Sequence, residues 1–116
     1  MAPDNHGLIY LPDEAFAAAF AQNASAGELA LLSAVQRPIS HACLTVSVNR
    51  PLWKDRPTWF LMAEQARMIV RDTQRFMAER MHARVRSHPI DHTPIVTALG
   101  LVVDIIREAI GEAISG

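Results

Sequence analysis

The run Trp59-Phe60-Leu61-Met62-Ala63, which follows Pro57-Thr58, decides the fold expected of this 116-residue chain. All five residues are apolar, and no polar residue alternates with them. Both faces of the segment are therefore expected to be buried, as they are in a parallel strand covered by helices. A chain of this length is expected to form one structural domain.

The segments after this strand predict a βαβα unit. A helix that carries Phe76, Met77 and Met81 is expected next, with Asp72 placed to cap it. A second, weaker strand is predicted at 84–88, and the last helix is marked by an apolar stripe of Leu101, Val102, Ile105, Ile106, Ala109, Ile110 and Ile114. This order predicts an α/β fold with two parallel strands joined by a right-handed connection.

Residues 1–50 show a different pattern, which indicates three short helices separated by polar gaps. The helices are expected after Pro12-Asp13, after Ser25 and after Pro38. Such a segment is typical of a helical cap that covers another part of a fold. Residues 51–116 then form the C-terminal βαβα portion, and Trp53 in the connector is expected to dock onto it.

Composition and charge exclude several function classes. The formal charge is −1 and half of the residues are apolar, which is ordinary for a folded globular chain and gives no long-range attraction to nucleic acid. No apolar run is long enough to span a membrane, and the N-terminus lacks the pattern of a signal peptide. The single cysteine, Cys43, excludes an intrachain disulfide. A cytoplasmic location is expected.

Several segments resemble the C-terminal half of α/β-hydrolase fold esterases. Residues 57–69 resemble the penultimate strand and its loop, and 74–81 resemble the following helix in one bacterial subfamily. Asp91-His92-Thr93-Pro94 resembles the loop that presents the catalytic histidine. Residues 11–54 are similar to the helical cap of the same subfamily. The resemblance implies a partial α/β-hydrolase fold acting on carboxylic esters or related acyl compounds.

The departures from the family pattern concern the catalytic residues. The resemblance places the family histidine at His92 and the family acid at Ala66, where a methyl group has replaced the carboxylate. Arg71 and His82 stand where the family has a proline and a helix-closing glycine. None of the five glycines frames a serine in the G-x-S-x-G pattern of the nucleophile.

Without these groups the chain is expected to have no hydrolase activity alone. The base of a triad needs a carboxylate to fix its tautomer, and the loss of that acid typically costs about four orders of magnitude in rate. Glu64 and Asp91 are the two carboxylates that stand near enough in sequence to replace it. Otherwise His92 is a loop histidine that has lost its catalytic role.

Three other clusters have ordinary explanations. A metal site built from His82, His88 and His92 is disfavoured because Pro89 interrupts their spacing, and no cofactor is expected. The arginines at 67, 71, 75, 80, 84 and 86 are interleaved with acids, for example Arg75 with Glu79, and indicate a solvated helix face. The methionines at 62, 68, 77 and 81 are typical of core packing.

Three functions therefore stand as hypotheses. The first is a truncated hydrolase-like protein that is inactive and forms a homodimer or larger oligomer through an open edge of the Trp59–Ala63 strand. The second is one half of an ester hydrolase, which supplies the cap and His92 to a separate chain that bears the nucleophile. The third is a binding module that takes a small apolar ligand, or another protein, at the cap.

Overall fold

The computed structural model describes residues 2–116 and confirms an α/β chain with a small parallel sheet. The strands are β1 (Leu8–Ile9), β2 (Ile39–Ser40), β3 (Trp59–Ala63) and β4 (Arg84–His88). The α-helices are α1 (Asp13–Ala15), α2 (Ala26–Val35), α3 (Arg71–Arg80), α4 (Pro94–Thr97) and α5 (Leu99–Ser115). A π-helix over Phe16–Phe20 continues α1, and 3₁₀ turns occupy His41–Leu44 and Leu52–Lys54.

Strands β3 and β4 pair in parallel, as predicted, with Trp59 opposite Arg84 and Ala63 opposite His88. The amide of Arg84 donates to the carbonyl of Thr58 (2.9 Å), and the amide of Glu64 donates to the carbonyl of His88 (3.0 Å). Backbone groups alternate sides along a strand, so the even-numbered residues of β3 face β4. The amide and carbonyl groups of Trp59, Leu61 and Ala63 therefore point to the opposite edge of β3.

Helix α5 covers one face of this sheet. Glu108 and Glu112, one turn apart on α5, pair with Arg86 and Arg84, which project from the same face of β4. The predicted stripe exists, but the sheet covers only part of it. Ile106, Ile110 and Ile114 are 52%, 53% and 80% exposed, so the chain leaves an apolar face of α5 open.

Helix α3 buries a different face from the one predicted. It begins at Arg71 and its N-cap is Val70, so the expected capping role of Asp72 is wrong. The Asp72 carboxylate lies within the first turn, where it pairs with Arg75 (3.5 Å). The buried positions are Gln74 and Ala78, whereas Phe76 is 61% exposed. Small and polar side chains thus let α3 approach the sheet closely.

Helix α3 ends at a residue with a left-handed backbone. The φ angle of His82 is 50°. The amide of His82 donates to the carbonyl of Glu79 (3.0 Å), and the amide of Ala83 donates to the carbonyl of Ala78 (2.9 Å). These two bonds form a Schellman motif, which satisfies the last carbonyls of the helix. Glycine is the residue that usually occupies the left-handed position, and it is the residue that the family resemblance expects at 82.

The first half of the chain is less helical than predicted. The capping box is confirmed, because the Glu28 amide donates to Ser25 Oγ (3.2 Å) and the Ser25 amide donates to Glu28 Oε2 (2.8 Å). The third helix is wrong, since strand β2 and a 3₁₀ turn follow Pro38. Strand β2 pairs antiparallel with β1, a strand that the sequence did not predict. These two-residue strands depend on contacts distant in sequence.

The connector contacts the second half through Trp53, as the sequence predicted. Trp53 lies in a 3₁₀ turn, and its ring is 5.2 Å from the guanidinium carbon of Arg80 at the end of α3. The Nζ of Lys54 also lies over the Trp53 ring, 5.5 Å from its centroid. Trp53 therefore docks onto the second half through cation–π contacts.

Candidate functional site

Ala66 and His92, where the resemblance to esterases predicts an acid and a base, lie on two neighbouring loops. We call residues 64–70 the β3 loop and residues 89–93 the β4 loop. Both loops leave the carboxyl ends of parallel strands, and the amide of Gln65 donates to the carbonyl of Ile90 (3.1 Å). Ala66 is half-buried in a turn closed by its amide and the carbonyl of Ala63 (3.1 Å). The topology thus brings together the loops of Ala66 and His92.

The end of the π-helix covers both loops. Its last carbonyls have no partner within the helix. Arg67 of the β3 loop donates to the carbonyl of Ala18 (2.7 Å), and the Thr93 hydroxyl of the β4 loop donates to the carbonyl of Phe20. Gln22 adds a bond from its Nε2 to the carbonyl of Gln65 (2.6 Å). The first half of the chain is therefore tied to the site by side chains from both loops.

Asp91 is the most deeply buried group of the site, with no exposed surface. Its Oδ1 accepts hydrogen bonds from the amide of Thr93 (3.0 Å) and from the hydroxyl of Thr97 (2.6 Å). Its Oδ2 accepts from the amide of Asn23 (3.0 Å). Both carboxylate oxygens are thus committed to holding α4 and the first half of the chain against the β4 loop.

Glu64, the other carboxylate considered as a replacement acid, faces away from this cluster. Its Oε1 accepts a hydrogen bond from Ser87 Oγ (2.6 Å) on strand β4. Ala66 has no acceptor in its side chain. The three positions that the sequence offers for an orienting acid therefore give His92 no hydrogen-bonded carboxylate.

His92 itself is half-buried and packs against Phe20, with 5.5 Å between the ring centroids. Burial lowers the pKa of His92 from its ordinary value of 6.5, and the negative charge of Asp91 opposes this effect without reversing it. Within residues 2–116 the imidazole makes no hydrogen bond. The ring is therefore a neutral base at pH 7 whose tautomer no neighbour fixes.

His92 also borders an open cleft of about 430 Å³ between the sheet and α5, which we call the His92 cleft. Its walls include Trp59 and Leu61 from β3 and Val102 and Ile105 from α5. The Nε1 of Trp59 is buried there without a hydrogen-bond partner among the described residues. The cleft is mostly apolar, and the hydroxyl of Thr93, which also lines it, is engaged with the carbonyl of Phe20.

Gln74 is a structural residue of the site that sequence reasoning missed. It is 5% exposed, its Oε1 accepts from the amide of Ala63 (2.9 Å), and its Nε2 donates to the carbonyls of Ala63 (2.9 Å) and Ile69 (2.8 Å). Gln74 thus replaces a neighbouring strand at the last residue of β3. The sequence signal is that Gln74 and Ala78 lie one turn apart, on the same face of α3.

The arginine cluster is mostly engaged within the chain. Arg67 bonds the π-helix, Arg75 pairs with Asp72 rather than with Glu79, and Arg80 contacts Trp53. Arg84 and Arg86 pair with α5. Of the predicted methionine core, Met62 is buried and Met81 half-buried, whereas Met68 and Met77 are 37% and 39% exposed. In the described part of the chain, no three His, Cys, Asp or Glu side chains group to hold a metal ion.

Comparison with protein-family models, with curated proteins and with solved structures finds no match to this chain. Among residues 2–116, no helix has the length and apolar character that crossing a membrane requires. A function for the chain has therefore to come from its own residues and their geometry.

Proposed function

We propose that this chain is an α/β-hydrolase-like module that has no hydrolase activity by itself and completes its packing by self-association. The resemblance of residues 57–69 and 91–94 to an esterase supports the hydrolase-like part, together with the parallel β3–α3–β4 unit. The loops of Ala66 and His92 lie side by side, which supports the proposal because the acid of a triad has to hydrogen-bond its histidine.

The amount of exposed surface is the observation that carries the self-association. The chain exposes 8236 Å², whereas a monomeric protein of the same mass exposes about 6,300 Å². The excess is about 2,000 Å² per chain, or about 4,000 Å² for two copies, which lies in the range of about 2,000–5,000 Å² that obligate homodimer interfaces bury over both partners. The radius of gyration, 16.1 Å, likewise exceeds the value of about 13 Å expected of a compact chain of this length.

The free edge of β3 is the place where a second copy fits. Trp59 and Leu61 present amide and carbonyl groups there, while Gln74 already satisfies those of Ala63. Antiparallel pairing that sets Trp59 opposite Leu61 of a second copy satisfies both residues of each chain around a twofold axis. The exposed face of α5, with Ile106 and Ile110, supplies apolar area on the same unit.

Sedimentation velocity at micromolar concentration tests this interface. Wild-type chain is expected to sediment as a dimer or larger species. Leu61→Pro removes the amide hydrogen at the free edge and leaves the pairing with β4 intact, so it is expected to shift the chain toward monomer. Leu61→Ala, which keeps that hydrogen, is the matched control and is expected to stay associated. A wild-type chain that is monomeric throughout would refute the proposal.

We expect no hydrolysis because the carboxylates of Asp91 and Glu64 accept hydrogen bonds from groups other than His92. With both carboxylates engaged elsewhere, His92 has no orienting acid among residues 2–116. Hydrolysis of p-nitrophenyl butyrate by the purified chain is therefore expected to equal that of the His92→Ala variant. A wild-type rate more than about tenfold above the variant would show a working base and contradict this part of the proposal.

One observation favours a second candidate, in which the chain supplies the cap and histidine to a separate nucleophile-bearing chain. The Ala66 and His92 loops already lie side by side, so an aspartate at 66 would stand next to the β4 loop. Co-expression with a hydrolase half that contains G-x-S-x-G is the test. Under this candidate Ala66→Asp is expected to raise ester hydrolysis by about three to four orders of magnitude. A pair that neither binds nor hydrolyses, whether it contains the wild-type chain or the Ala66→Asp variant, would exclude it.

A further inference from the structure

The first half of the chain and the β3 loop line a second cleft, of about 380 Å³, which we call the cap cleft. Eight apolar side chains, one amide and one guanidinium form its walls. Ile9 and Ile39 come from the β1–β2 pair, Phe16 and Phe20 from the π-helix, and Met68 from the β3 loop. The volume lies within the range of small-molecule sites.

Only one of the two polar side chains in the cap cleft is available to a ligand. Gln36 uses both ends of its amide on Leu11, since its Oε1 accepts from the Leu11 amide (3.1 Å) and its Nε2 donates to the Leu11 carbonyl (3.0 Å). Arg37 has no ion-pair partner within residues 2–116 and is exposed to solvent at the cleft. A single unpaired cation therefore borders an otherwise apolar space.

We propose that the cap cleft binds a small amphipathic monocarboxylate, whose apolar tail fills the cleft while Arg37 holds its carboxylate. The guanidinium fork matches a carboxylate in geometry and charge, and apolar walls favour an alkyl or aryl tail. One cation does not balance a dianion, and a neutral ligand leaves the charge of Arg37 unused. The ligand class thus follows from the charge complementarity of the cleft.

This binding site is separate from the His92 cleft. Phe20 lines the cap cleft on one side and packs against the His92 ring on the other, with 5.5 Å between the two rings. A ligand in the cap cleft is therefore screened from the imidazole. The site is a binding site without chemistry, and it does not depend on the self-association proposed above.

Titration of the full-length chain with decanoate, and in parallel with decanol, tests the proposal. Decanoate is expected to bind more tightly than decanol, because both fill the cleft and only decanoate pairs with Arg37. Arg37→Gln is expected to weaken decanoate binding by about tenfold and to leave decanol unchanged. Arg56→Gln, which removes an exposed arginine outside the cleft, is the matched control and should change neither affinity.

Methyl NMR shifts of the wild-type chain locate the ligand independently of any variant. Decanoate is expected to shift Ile9, Ile39 and Met68, and not Val102 or Ile105 of the His92 cleft. The proposal is overturned if decanoate does not bind at millimolar concentration or if its shifts fall in the His92 cleft. It is also overturned if decanoate and decanol bind equally and Arg37→Gln affects neither.

Discussion

At the scale of single residues, Asp91 shows how a side chain beside a residue that the sequence singles out for catalysis can have a structural task. It lies next to His92 in sequence, yet its carboxylate bonds Asn23, Thr93 and Thr97 instead of the imidazole. The resemblance to esterases directs attention to His92, and it does not reveal this task. The signal that was present is Asp91-x-Thr93, in which an aspartate accepts from the amide two residues on.

Asp91→Asn is expected to loosen the first half of the chain selectively. The amide oxygen can still accept from Thr93 and Thr97, but its NH₂ then faces the amide of Asn23, and two donors meet. We expect a loss of about 2 kcal/mol in the free energy of unfolding, and about 4 kcal/mol for Asp91→Ala, which loses all three bonds. Urea unfolding measures both. Equal stability of the Asn variant and wild type would show that the Asn23 contact is not formed.

His82 has a backbone conformation that is unfavourable for any residue with a side chain. At φ of 50° a side chain crowds the backbone, and glycine does not. His82→Gly is therefore expected to raise the free energy of unfolding by about 0.5–1 kcal/mol. His82→Ala keeps the Cβ and should bring no such gain, and Ala83→Gly tests whether glycine stabilises at the next position. Destabilisation by His82→Gly would mean that the imidazole makes a compensating contact.

The lowered pKa of His92 predicts the direction of a pH effect on stability. The unfolded chain binds a proton near pH 6.5, whereas burial makes the folded chain bind it only at lower pH. The folded state therefore keeps its full stability above pH 6.5 and loses part of it as the pH falls through the lowered pKa. His92→Gln removes this loss, so its Tm relative to wild type should rise on acidification from about pH 8 to about pH 5. A constant Tm difference would contradict the pKa direction.

At the scale of elements, sequence patterns predicted the helices and strands whose formation depends mainly on local sequence. Strand β3 has a strong apolar run and helix α5 a strong apolar stripe, and both form where expected, as does the more weakly predicted strand β4. The first half differs because its elements depend on one another. Strand β1 exists only through hydrogen bonds to β2, about thirty residues away in the chain, and no local pattern encodes such a pair. The buried face of α3 was missed because it is made of Gln74 and Ala78 rather than of large apolar residues.

Gln74→Leu tests the role of α3 as a substitute for a strand. The leucine fits the apolar surroundings, but it leaves the amide of Ala63 and the carbonyls of Ala63 and Ile69 without partners. We expect a loss of about 3 kcal/mol in the free energy of unfolding. Arg75→Leu, the exposed neighbour on the same helix, should change stability by less than about 0.5 kcal/mol. Similar effects of the two changes would contradict the bridging role of Gln74.

At the scale of the whole molecule, the chain buries few of its apolar residues. Only Phe16, Ala21, Met62, Ala63, Ala78 and Ile90 form the buried apolar core of residues 2–116. A core of this size leaves little net stability after the entropy of folding is subtracted. The sequence, with half of its residues apolar, predicts a larger core, and the difference lies in the exposed faces of α5 and of the first half.

Because association is expected to contribute the missing burial, stability should depend on protein concentration. A dimer that binds its second copy only in the folded state gains stability by mass action. The Tm is therefore expected to rise by several degrees between about 5 and about 200 µM chain. Leu61→Pro should abolish this rise. If the Tm of the wild-type chain does not change over this concentration range, association contributes nothing to its stability.

The π-helix over Phe16–Phe20 makes this segment sensitive to a change in its number of residues and tolerant of substitutions at its exposed positions. Ala17 and Ala18 are exposed, so other small or polar side chains fit there. The π-helix already accommodates one residue more than an α-helical turn, so a further inserted residue would rotate the residues after it by about 100° about the helix axis. Phe20 would then leave His92, and the carbonyls that Arg67 and Thr93 hold would be displaced. An insertion of one residue here would therefore break these contacts between the two halves of the molecule.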